Sequence, residues 1–192
     1  MAAEFERHGA GVVDTDRIAR ALVAPGGAAR APILEAFGPQ YLGADGEIDR
    51  RALREHVFYD AEARTQIESI LHPMIRAEVE RALSCVSTAY ALLVVPLLVE
   101  HVGAYRPLFD RVLVVDCPAG LQLRRLMARD GIDDALAQRM LAAQSGRDER
   151  MRLADDVIDN GEGGADHIPA RVAQLHAEYL KLAMIGREDA LP

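Results

Sequence analysis

The sequence predicts an α/β fold: a parallel sheet flanked by helices, with a helical subdomain inserted into it. Three observations lead there. Runs rich in Val and Leu at Gly11–Asp14, Tyr90–Val95 and Arg111–Asp116 are each followed by a helical pattern. Strands that alternate with helices imply parallel pairing through right-handed crossovers. The long stretch between the first two runs, residues 25–88, has helical periodicity and no clear strand run, which marks it as the insertion.

The chain opens in a helix, Met1 to His8, closed by Gly9. Val12 and Val13 then read as a short buried strand ending at Asp14. Ile18, Ala19, Leu22 and Val23 recur at helical spacing, so a helix runs from Thr15 to about Val23, and Pro25-Gly26-Gly27 breaks the chain. Helices follow over Ala28–Phe37, Asp49–Phe58 and Ala61–Leu83, with turns at Gly38-Pro39 and Ala44-Asp45-Gly46. Pro73 lies inside the third pattern and should break or kink it near Leu71-His72. Tyr90–Val95 is continuously apolar, as a strand buried on both faces is. His101–Asp110 reads as a loop, and Arg111–Asp116 as the next strand. Pro118 suits the first turn of a helix that continues through Leu121–Arg129. Two further helical pieces, Asp133–Ala143 and Arg147–Leu153, join at Ser145-Gly146. Val157-Ile158 is a short last strand, Ile168–Met184 a closing amphipathic helix, and Gly186–Pro192 a frayed tail.

Composition excludes several classes. A chain of 192 residues, half of them hydrophobic, fits one domain with a full core. A net charge of −8 with interspersed signs argues against nucleic acid as a partner, and the absence of Trp argues against a base-stacking platform. Cys85 and Cys117, without C-x-x-C spacing, read as reduced thiols of a cytoplasmic protein. The longest apolar run, Ala89–Val99, is too short for a membrane span.

The residues that carry chemistry sit at the joints. Asp14-Thr15-Asp16 lies where a strand ends and a helix begins, the edge where open parallel sheets bind ligands. A carboxylate there can take a proton from a substrate hydroxyl. The same residues also suit plain capping, with Asp14 or Thr15 as N-cap and Asp16 offsetting the helix dipole. Arg124, Arg125, Arg129, Arg139, Arg147, Arg150 and Arg152 form a dense basic cluster in an acidic chain. They are either a solvated face paired with nearby acids or a phosphate clamp, for which the guanidinium fork is suited. His72-Pro73 reads as a helix terminator, and Glu100 either organises a metal-bound water or accepts from a backbone N–H. The remaining histidines show no metal-ligand spacing.

Taken in order, the segments Val-Val-Asp-Thr-Asp-Arg-Ile-Ala-Arg, Asp-Arg-Arg-Ala-Leu-Arg-Glu-His-Val-Phe, Ile-Leu-His-Pro-Met-Ile, Val-Val-Pro-Leu-Leu-Val-Glu, Arg-Val-Leu-Val-Val-Asp, Gln-Leu-Arg-Arg-Leu-Met-Ala-Arg-Asp, Leu-Ala-Ala-Gln and Ala-Asp-Asp-Val-Ile-Asp-Asn closely resemble bacterial dephospho-coenzyme A kinase, from the first residue to about Leu182. The resemblance implies a P-loop kinase-like fold. Its core would span residues 1–24, 89–127 and 154–192, its helical CoA subdomain residues 25–88, and its lid residues 128–153. It implies transfer of the ATP γ-phosphate, with Mg²⁺, to the ribose 3′-hydroxyl of dephospho-CoA, with no nucleic-acid or membrane partner. By position, Asp16 matches the family's general base and Arg125 its phosphate-contacting arginine. Arg147 matches the lid arginine, His72 and Pro73 the motif by the CoA pocket, and Asn160 the adenine-side loop.

One departure is large. The family opens with a strand and a G-x-x-x-x-G-K-[ST] loop that holds ATP and Mg²⁺. The chain has neither, and no lysine precedes Lys181. The expectation is therefore a natural product with residues ahead of Met1, and a 192-residue form that lacks the central strand and does not turn over. The alternatives are a non-catalytic dephospho-CoA-binding protein and a similar kinase with another small acceptor.

Overall fold

The computed structural model describes residues 1–43 and 45–188 of the chain. Ala2–Arg7 forms α1, and Gly9, at φ +93°, turns the backbone out of it in a region that disfavours side chains. Gly11–Asp14 is β1. Asp14 then caps the next helix, α2 (Thr15–Leu22), its side chain accepting from the backbone N–H groups of Asp16 and Arg17. The helix-rich stretch follows as α3 (Arg30–Phe37), a 3₁₀ turn at Pro39–Tyr41, α4 (Arg50–Tyr59) and α5 (Ala61–Ser84). Asp49 caps α4 and Asp60 caps α5 in the same way that Asp14 caps α2.

Beyond it come β2 (Ala91–Val94), α6 (Leu98–Tyr105), β3 (Leu113–Asp116), α7 (Ala119–Asp130), α8 (Asp134–Ala142), α9 (Arg147–Leu153), β4 (Asp156–Asp159) and α10 (Gly164–Glu188). Gly131, at φ +65°, ends α7 in the left-handed region, and its N–H closes on the Met127 carbonyl. The sequence-predicted tail lies partly outside the described residues; its first part, Gly186–Glu188, continues α10.

The chain forms two compact units. One comprises Met1–Val12, Ser87–Leu92 and the chain from Pro96 onward; the other comprises Val13–Val86 and Leu93–Val95. In the first, Phe5, Ala10, Ile158, Val172, Leu175 and Tyr179 make the core, so α1 and α10 close over β4. In the second, Ala29, Ile33, Phe37, Ile48, Leu53 and Ala63 make a separate core, and α2, α3 and α4 all pack on α5.

Three expectations are corrected. The described strands form two two-stranded sheets, β1–β2 and β3–β4, instead of one, and β2 and β3 do not pair. For that reason β2 is only half-buried along its length and Val115 of β3 is 42% exposed, where a strand covered on both faces was expected. Helix α5 continues through Pro73. A mid-helix proline costs about 3 kcal/mol, but Ile67, Ile70, Leu71 and Met74, on both sides of it, pack on the core and hold the helix through it. Finally, the stretch expected as a loop at His101–Asp110 is mostly helical, with α6 reaching Tyr105 and a 3₁₀ turn over Arg106–Leu108. His101 keeps non-helical angles (φ −122°), and Tyr105, buried, anchors the end of α6.

Candidate active site

Strands β3 and β4 run parallel, with Asp116 opposite Asp159 at their carboxyl ends. At that edge a parallel sheet turns to its ligands. The chain leaves β3 through Cys117 and Pro118 into α7, and leaves β4 through Asn160. The Asn160 N–H donates to the Asp116 carbonyl at 2.7 Å, which extends the ladder one residue past the strands.

Two arginines converge here. Arg125, on α7, donates through one guanidinium nitrogen to the Asn160 carbonyl at 2.8 Å and to the Cys117 sulfur at 3.5 Å. Arg147, the first residue of α9, forks onto Asp116, with Nε at 2.9 Å and a terminal nitrogen at 2.7 Å from its carboxylate. The Arg147 hydrogen bond holds the Asp116 carboxyl below the usual aspartate range, and Asp116 in turn raises Arg147. Both guanidiniums remain exposed to solvent. The neighbouring Arg124 faces elsewhere, to an exposed ion pair with Glu162 at 2.6 Å. Thus three residues singled out in the sequence, Arg125, Arg147 and Asn160, meet at one strand edge. Arg129 takes the other course and pairs with Asp130.

The second unit carries Asp16, His72 and Pro73. Asp14 Oδ1 accepts from Asp16 N at 2.9 Å and Arg17 N at 3.2 Å, so the cap of α2 is supplied by Asp14 alone. The Asp16 carboxylate, in the first turn, stays exposed. Thr15, buried, donates its hydroxyl to the Val94 carbonyl at 3.0 Å and ties the start of α2 to the end of β2. His72 and Pro73 are exposed midway along α5, the helix on which α2 packs.

Other contacts were not legible in the sequence. Glu100 accepts from the Ser145 N–H at 2.7 Å, which decides between its two readings in favour of the backbone acceptor. Asp116 was seen only as the end of an apolar run; its place at a parallel edge was the available signal. Arg111, Asp156 and Tyr179 form a chain, 3.0 Å and 2.9 Å, that fixes α10 against the β3–β4 pair. Among the described residues, no group of three His, Cys, Asp or Glu side chains is arranged to hold a metal ion. None of the described helices is long and apolar enough to cross a membrane.

Comparison with known proteins supplies the context for this geometry. The profile of the dephospho-CoA kinase family matches residues 1–166. A dephospho-CoA kinase of Aromatoleum aromaticum is 49% identical over 175 residues, covering 91% of this chain and 84% of the relative. One from Burkholderia pseudomallei is 44% identical over 183 residues, covering 95% and 90%. Among solved structures, a Thermus thermophilus protein superposes with a TM-score of 0.71 at 29% identity, covering 91% of this chain and 89% of that one. A dephospho-CoA kinase from Campylobacter jejuni does so at 0.62 and 26%, covering 93% and 89%.

Proposed function

The chain belongs to the dephospho-CoA kinase family, a family of phosphotransferases, and from that premise we propose how its residues divide the work of moving the ATP γ-phosphate to the ribose 3′-hydroxyl of dephospho-CoA. The observation that carries the proposal is the meeting of Arg125, Arg147 and Asn160 at the carboxyl ends of β3 and β4. Asp16 acts on the acceptor: it takes the 3′-hydroxyl proton as that oxygen bonds to the γ-phosphorus. The bond from the γ-phosphorus to the β,γ-bridging oxygen breaks, and ADP leaves. Because Asp14 already caps α2, the Asp16 carboxylate is left for this task.

Arg125 and Arg147 act on the donor, where charge spreads over the phosphoryl oxygens in the transition state. Arg147 must exchange Asp116 for phosphate, a swap that its fork can make without changing the number of charge-assisted bonds. Asn160 borders the adenine side, and His72 and Pro73 border the CoA pocket. Residues 128–153 serve as lid, 25–88 as acceptor subdomain, and the rest as nucleotide-binding core. Mg²⁺ enters with ATP as part of the co-substrate; no step above relies on a metal seat in the described residues. The cytoplasm is the compartment that suits Cys85 and Cys117, both free of disulfides.

The same reading assigns the phosphate cradle to parts outside residues 1–192. There is no G-x-x-x-x-G-K-[ST] segment in them, and the one lysine, Lys181, lies in α10. Positioning and charge stabilisation are most of phosphoryl-transfer catalysis, so these 192 residues by themselves retain acceptor recognition and lose turnover. Calorimetric titration of the chain with dephospho-CoA and, separately, with nucleoside monophosphates tests the acceptor. Saturable binding of dephospho-CoA alone is the expected result; preference for a nucleoside monophosphate would assign a different acceptor.

A further inference from the structure

Most of the charge in the helical unit is negative or locally paired. Arg76 and Arg81 on α5, for example, bond Glu80 and Glu78 at 3.0 Å. Arg20, Arg50 and Arg54 depart from that pattern. All three are exposed, and none bonds a described carboxylate. Asp49, the acid adjacent to Arg50, is turned to the backbone N–H groups of Arg51 and Ala52.

The geometry draws these arginines toward one another. A terminal nitrogen of Arg50 donates to the Arg20 carbonyl at 3.2 Å, which sets the first residue of α4 beside the last turn of α2. That single bond leaves the remaining donors of the guanidinium unused. Arg54 follows Arg50 by one turn of α4, and Arg20 follows Asp16 by one turn of α2, so each pair shares a helix face. The result is one carboxylate with a group of unpaired guanidiniums a turn away from it.

Resting on the acceptor assignment above, we propose that Arg20, Arg50 and Arg54 form the seat of the acceptor's diphosphate. In dephospho-CoA the 3′-hydroxyl and the 5′-diphosphate leave the same ribose ring. A hydroxyl held at Asp16 therefore places the diphosphate about one helical turn, roughly 5–6 Å, along α2. Guanidiniums without carboxylate partners bind phosphate oxygens bidentately and need break no ion pair to do so. This site also supplies selectivity, because an acceptor lacking the diphosphate leaves the arginines unanswered. The binding energy it gives is spent on holding the hydroxyl at the base.

The test is calorimetry of the 192-residue chain with dephospho-CoA, without ATP, at low and high salt. Arg20→Gln should raise Kd roughly tenfold or more and flatten its salt dependence. Arg20→Lys should recover only part of the loss, and Arg81→Gln none of it should be needed: that variant binds as the parent does. Inorganic pyrophosphate should compete with dephospho-CoA in the parent. Equal affinity in a folded Arg20→Gln chain overturns the proposal. If Arg20→Gln does not fold by circular dichroism, absence of pyrophosphate competition in the parent overturns it. A folded parent that binds no dephospho-CoA refutes the acceptor assignment itself, and the proposal with it.

Discussion

At the scale of single residues, Asp14 and Asp16 illustrate how capping and chemistry separate. Pattern alone allowed either to be structural, since both are short acidic side chains at a strand–helix joint. The structure gives the cap to Asp14, which bonds two backbone N–H groups. Asp14→Ala should therefore cost about 1 kcal/mol of stability, read by urea unfolding. Asp16→Asn, in a form bearing a phosphate loop, should leave stability within about 0.5 kcal/mol and lower kcat by roughly 10²–10⁴. Normal turnover in Asp16→Asn would return that residue to a dipole-offsetting role. Arg124 and Arg125 make the same point on α7. No pattern distinguishes adjacent arginines, yet one meets Glu162 in solvent and the other the strand ends. In the loop-bearing form, Arg125→Lys should lower kcat by roughly 10²-fold or more while Arg124→Lys stays near the parent. The opposite order would mean that the phosphoryl group approaches the other face of α7.

At the scale of elements, most boundaries were written in the chain. Caps and glycines fixed them: Asp49 and Asp60 start α4 and α5, and Gly131 ends α7. What escaped was tertiary override of local preference. Pro73 is a breaker by its own chemistry, but apolar residues on both sides of it keep α5 whole. Pro73→Ala should then raise stability by about 1–3 kcal/mol in urea unfolding, and weaken dephospho-CoA binding if the His-Pro pair borders the pocket. A loss of stability would show that the proline's ring contacts outweigh its helical cost. The joints between strands and helices are also acid-labile. Burial works against the Asp156 carboxylate, but Arg111 and Tyr179 more than offset it and hold it below the usual range; Arg147 does so for Asp116. Carboxyls lowered in the folded state stabilise it above their unfolded value, about 4, and lose that stabilisation as pH falls below it. The thermal midpoint should thus fall below about pH 4, and Asp156→Asn should be less stable at pH 7 with a shallower acid decline. An unchanged decline would remove Asp156 from the cause.

At the scale of the whole molecule, α/β class and helical insertion were legible from alternation and periodicity, because both depend on patterns repeated over many residues. The pairing of strands was less so. Four short strands announce themselves locally, but whether they share one sheet depends on what lies between them, and here they form two pairs. Two-stranded sheets are marginal without further cover, which fits the exposure of Val115. A strand bearing a phosphate loop would supply the donor cradle that residues 1–192 do not contain. The most direct measurement is therefore a paired assay. The 192-residue chain, and the same chain preceded by a strand and a G-x-x-x-x-G-K-[ST] loop, are incubated with ATP, Mg²⁺ and dephospho-CoA, and the product is read by ³¹P NMR. The account predicts a new ribose 3′-phosphate from the loop-bearing form, at a rate at least about 10³-fold above that of the 192 residues alone. Equal rates from the two, or a folded loop-bearing form that phosphorylates another position or nothing at all, would contradict it.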